Sequence, residues 1–141
     1  MGSSNLDSTV KTYICIEETL QAQIMENSED TRLTNKHVSA EIDGIRAEFS
    51  VEEDRIRNEI ANTDKIAQRD EYQDLLRELN DLKEEKEDKI ESLENQTNID
   101  ETMIQSENEL LQVQLEEATA QRESFEEMRQ QAIENESGYF Q

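Results

Sequence analysis

Proline and tryptophan are both absent from this chain. Glycine occurs only at positions 2, 44 and 138 of the 141, so between Ser3 and Ser137 the one strong helix breaker is Gly44. A globular fold of this length needs several turns, and the residues that make them are missing. Three Phe, three Tyr and 33% apolar residues are thin material for a globular core. The single cysteine, Cys15, has no partner for an internal disulfide and suits a reducing compartment. The single histidine, His37, would lie roughly six helical turns from Cys15 on one helix, too far to share a metal ion or form a nucleophile pair. The sequence has no glycine-rich phosphate loop, and Asp64–Glu71 lacks EF-hand spacing. Acidic runs such as Glu52-Glu53-Asp54 splay outward on a straight helix instead of wrapping an ion. The expectation is a protein without catalytic residues, metal or cofactor.

Bases are scarce and unevenly placed. Residues 1–70 carry 15 acids and 8 bases, residues 71–141 carry 21 acids and 6 bases, and no base lies between Lys89 and Arg122. With a net charge of -22, such a surface repels nucleic acid and anionic lipid and suits a basic protein partner. No apolar run approaches a membrane span and the N-terminus lacks a signal-peptide core, which points to a cytoplasmic location without membrane contact.

What the chain does have is a seven-residue repeat. Counting from Ile90 as position a, the a column runs Arg69, Leu76, Lys83, Ile90, Thr97, Ile104, Leu111, Ala118, Phe125, Ala132, and seven of these ten are apolar. The d column, three residues later, includes Tyr72, Leu79, Leu93 and Met128 but also Lys86, Asp100 and Glu107. A stripe this narrow is buried only against another helix carrying the same stripe. Low hydropathy and high charge also describe a chain unable to collapse, but disordered sequences seldom hold one hydrophobic phase over ten heptads.

Earlier in the chain Leu6, Val10, Tyr13, Leu20 and Ile24 share one phase, which places Cys15 on the outer face. The polar stretch 26–36 follows, and a seam resumes at Val38, Ile42, Ile45, Phe49 and Ile56 in a shifted phase. Such shifts are stutters or skips, which unwind or overwind a supercoil without ending the helix. The fold class is all-α: a long, segmented coiled-coil rod with heptad phase shifts. The segments are a disordered leader 1–7, coiled coil 8–60, a weak helical linker 61–74, coiled coil 75–135 and a disordered tail 136–141. Asp7 or Ser8 caps the first helix, and a continuous helix to about Gln131 is favoured over fold-back near 26–36 or at 95–100, where Asn98 and Glu101 form a cap-like pair. The last residues, Glu136 to Gln141, resemble a potyviral processing-protease site and read as a scar.

The pattern Leu20, Ile24, Glu29, Arg32, echoed by Ile45, Phe49, Asp54, Arg57, resembles the rod of the striated-fibre assemblin and giardin family. That resemblance covers about a third of the chain and implies a segmented coiled coil in microtubule-associated filaments. The family's Ser-Pro-rich head is missing here, and the acidity is higher. The expected function is a non-catalytic coiled-coil structural protein, self-associating as a dimer or higher coiled coil in a cytoskeletal filament or spacer. Its oligomer interface would use Val38, Ile42, Ile45, Phe49 and Ile56, then Leu76, Leu79, Ile90, Leu93, Ile104, Leu111, Phe125 and Met128. Asp100 and Glu107 would oppose their own copies in a parallel dimer, whereas an antiparallel pairing of copies would bring Lys83 to Asp100. The alternative is an acidic helical adaptor, or chaperone-like module, that folds with a basic partner. Crowded acids would also have raised pKa values, so stability is expected to rise as pH falls.

Overall fold

The computed structural model describes residues 2–139. Two helices account for nearly all of them: α1, Ser3–Ala61, and α2, Arg69–Tyr139. Both polar stretches considered for fold-back, 26–36 and 95–100, lie inside these helices. The continuous helix expected from Ser8 to Gln131 is corrected by a turn at 62–68.

That turn is made without glycine, proline or any positive φ among the described residues. The end of α1 tightens as the amide of Asn62 reaches the carbonyls of Asn58 and Glu59, and that of Thr63 reaches Ile60. Asp64 then acts as an N-cap. Its carboxylate accepts from the amides of Ile66 at 2.8 Å and Ala67 at 2.9 Å, while the Gln68 side-chain carbonyl accepts from the Asp64 amide at 3.1 Å. This reciprocal arrangement satisfies the donors that a helix start leaves exposed. Asp70 and Glu71 add negative charge to the first turn of α2, where the helix dipole favours it.

The chain divides into two compact units. One comprises 32–101; the other comprises 1–31 with 102–141. In the unit 32–101 the helices return antiparallel, with Glu53 opposite Lys86 at 2.9 Å and Arg55 opposite Glu78 at 3.4 Å. Ile56, 1% exposed, Phe49 and Ile90 form its core. In the unit formed by the two ends, residue numbers also run in opposite senses. Ser3 donates to Glu136, Asp7 meets Arg129, Tyr13 stacks on Phe125 at 5.6 Å, and Asn27 meets Asn108. Leu6, Val10 and Ala118 are buried there.

Both ends of the chain differ from expectation in the same way. Helix α1 begins at Ser3 instead of Asp7 or Ser8, because Leu6 is buried and Asp7 is engaged by Arg129. Helix α2 runs to Tyr139, through part of the stretch read as a tail. Phe140 and Gln141, the end of the protease-site-like sequence, lie outside the described residues.

Gly44 sits in α1 with negative φ and open space where a Cβ would stand. Gly44→Ala is therefore expected to raise stability by about 1 kcal/mol, seen as a higher melting temperature. Asp64→Ala should lower the melting temperature while Asp64→Asn keeps most of it, since asparagine retains the accepting oxygen. Equal melting of Asp64→Ala and the wild type would show that the cap does not hold the turn.

Candidate functional site

The most extended feature of the described residues is the face along which the helices meet within each unit. In the unit 32–101 the covered positions of α1 are Thr34, Val38, Ile42, Ile45, Phe49, Glu53, Ile56 and Ile60, and those of α2 are Tyr72, Leu75, Leu79, Leu82, Lys86, Ile90, Leu93, Thr97, Asp100 and Glu101. In the other unit the α2 stripe continues through Ile104, Asn108, Leu111, Leu115, Ala118, Arg122 and Phe125. Steps of three and four residues keep one face of a 3.6-residue helix turned to its neighbour.

Of the seam residues named from the sequence, Phe49, Ile56 and Ile90 are buried and eight more are half-buried. Leu76 and Met128 are turned outward, at 38% and 50% exposure. Leu75, Leu82 and Leu115, outside the counted columns, take covered positions. The physical reason is a local change of phase, where two steps of four residues follow one another. Such steps at Leu82, Lys86 and Ile90 put Leu75 in place of Leu76. After Thr97 the column of Ile90 stays covered through Ala132, and its companions become Asn108, Leu115, Arg122 and Arg129 in place of Glu107, Gln114, Gln121 and Met128. Glu107, expected at the seam, is exposed, and Asn108 stands in its place.

Polar groups fill several of the covered positions, and each has a partner. Glu53, 6% exposed, accepts from Lys86 at 2.9 Å and pairs with Arg57 at 3.5 Å. The Lys86 hydrogen bond is the main cause that holds the Glu53 carboxyl below its ordinary range. Asn27, 8% exposed, donates to Asn108 at 2.9 Å and accepts from Gln23 at 3.2 Å. Arg122 is shared between Glu17, which Thr119 also donates to, and Glu126 at 2.9 Å. Those contacts, with Glu17 first, raise the Arg122 pKa. Lys11 and then Arg129 lower that of Asp7. Among the described residues no buried side-chain nitrogen or oxygen lacks a partner.

These polar layers were half legible in the sequence. Lys86 stood in the d column, but its partner Glu53 lies 33 residues away and is found only once the turn at 62–68 is known. Cys15 is exposed. No helix among the described residues is long and apolar enough to cross a membrane, and no group of three potential metal-binding side chains converges among them. No family model, curated protein or solved structure matches this chain.

The carboxyls of Asp7, Glu53 and Asp64 are shifted down. None of the three lies in the base-free stretch between Lys89 and Arg122, where crowding of acids is expected to act in the other direction. A lowered folded pKa means that the unfolded state binds the proton more readily, so the stabilisation is complete above the unfolded pKa and is lost as pH falls below it. The melting-temperature advantage of the wild type over Glu53→Gln should be full at pH 7 and shrink below the ordinary Glu value of 4.5. An advantage that stayed constant down to pH 3 would show that the Glu53 charge contributes nothing.

Proposed function

We propose that this chain is a non-catalytic structural element of the coiled-coil type, self-associating as a filament element or spacer. The observation that supports it most directly is the pairing of antiparallel helical segments in each unit through stripes stepped by three and four residues. Where two steps of four follow one another, as at Ile45, Phe49, Glu53 on α1 and Leu82, Lys86, Ile90 on α2, the repeat is read as a stutter. The Glu53–Lys86 pair joins these two places. Interrupted repeats of this kind are also what the likeness to the striated-fibre assemblin and giardin rods implies, and a cytoskeletal role is part of the same proposal.

Because the stripes are covered within one chain, folding and assembly separate. Helicity should persist on dilution, unlike that of a coiled coil formed between chains, and the melting temperature should fall only by the amount that association stabilises the folded chain. Sedimentation velocity over the same dilution series should show the folded chain associating into larger species. A folded chain that stays monomeric at every concentration would refute the self-assembling reading. Loss of helix on isolation, regained on adding a basic protein, would favour an adaptor instead.

A further inference from the structure

Helix α2 carries an apolar ridge on the side away from its covered stripe. Met103, Leu110 and Val113 are 67%, 59% and 50% exposed. Their spacings of seven and three residues put them on one face. At 100° per residue that face lies roughly opposite Ile104, Asn108 and Leu111, which are turned inward. A cluster of large, well-exposed apolar side chains on a surface otherwise rich in charge marks an interaction site more often than a chance.

The residues around the ridge say what could cover it. Glu107, Glu109, Glu116 and Glu117 are exposed beside it, and no base lies between Lys89 and Arg122. A second copy presenting the same face would bring these carboxylates against their own counterparts. A membrane with anionic headgroups would be repelled as well. The complementary occupant is a helix with an apolar stripe flanked by Lys or Arg, which buries the ridge and meets the carboxylates at its rim.

We infer that Met103, Leu110 and Val113 form a docking ridge for a basic amphipathic helix of another protein. The apolar side chains anchor the partner and the glutamates select its charge. This surface does not depend on self-association and stands or falls separately from it.

The test uses the full chain and three synthetic peptides, with binding followed by fluorescence anisotropy at physiological ionic strength. One peptide is an amphipathic helix with leucines at heptad positions a and d and lysines beside them. The second has glutamates in place of the lysines. The third has the composition of the first, scrambled so that no apolar stripe forms. The first should bind, the second should not, and the scrambled peptide should bind more weakly than the first. Leu110→Ser, which keeps the charge and alters an exposed side chain, should weaken binding of the first peptide by about tenfold or more with helicity unchanged. Val51→Ser, at an equally exposed apolar position elsewhere, should leave binding as it was. Equal binding of the scrambled peptide, or no effect of Leu110→Ser, would overturn the proposal by showing attraction through net charge alone. A change in the sedimentation of the chain itself on Leu110→Ser would overturn it in favour of a second copy as the occupant.

Discussion

Mutual burial of two narrow stripes is the constraint on which everything else in this chain depends. Neither α1 nor α2 has enough apolar surface to form a core with itself. With 33% apolar residues, the molecule gains burial only where the two stripes face each other. A turn that brings α2 back onto α1 supplies the second stripe from the same chain. The entropy of bringing two molecules together is then avoided, and the cost is that of closing a short loop. Helices in proteins draw most of their stability from such packing and little from propensity, so the length of α1 and α2 is itself a consequence of the pairing.

The polar layers answer a problem that this solution creates. Two stripes of similar apolar residues can slide past each other by a heptad at little cost, because one layer resembles the next. Glu53 with Lys86 and Asn27 with Asn108 are not interchangeable with their neighbours: a shift would leave a carboxylate, an ammonium or an amide covered without its partner. Such groups add less stability than apolar side chains of the same size, and what they supply is alignment. Arg122 and Arg129 serve the unit formed by the chain ends in the same way, each being drawn to an acid of α1. They are also the last two bases of the sequence, so both positive charges of that stretch are committed to holding the helices together. The acids on the outer faces of α2 are left with a net negative field.

The helical character and most of the covered residues were legible from spacing alone. Ile90, Leu93, Ile104, Leu111 and Phe125 follow the heptad count, and they lie within a few turns of one another or on a segment where the count holds. The misplacements at Leu76 and Met128 lie beyond local changes of phase, near Leu82–Ile90 and after Thr97, where the covered stripe leaves the strict count. The turn at 62–68 escaped for a different reason. It holds neither glycine nor proline, and the chain turns by capping: the Gln68 side chain accepts from the Asp64 amide and the Asp64 carboxylate from the amides of Ile66 and Ala67, with no residue at positive φ. Asp64 with Gln68 four residues later and the acidic Asp70 and Glu71 beyond was a readable signal, of the same kind as the Asn98 and Glu101 pair that stays helical. Local cap chemistry was present at both places, and what separates them is tertiary: Ile56 is buried when the chain turns after Ala61, and a turn at 98 would break the covered run from Ile90 to Ile104.

The two faces of α2 differ in chemistry. On the covered face, apolar residues are accompanied by polar groups, and among the described residues no buried side-chain nitrogen or oxygen lacks a partner. On the outer face, Met103, Leu110 and Val113 lie in water beside carboxylates. A surface position gains nothing for the fold from a large apolar side chain, and polar residues would serve solubility better. The stripe that holds the fold and the ridge that is left over therefore call for different explanations. The stripe is accounted for by α1. The ridge has no counterpart in this unit, and its chemistry, apolar at the centre and acidic at the rim, is matched by a helix of the opposite charge.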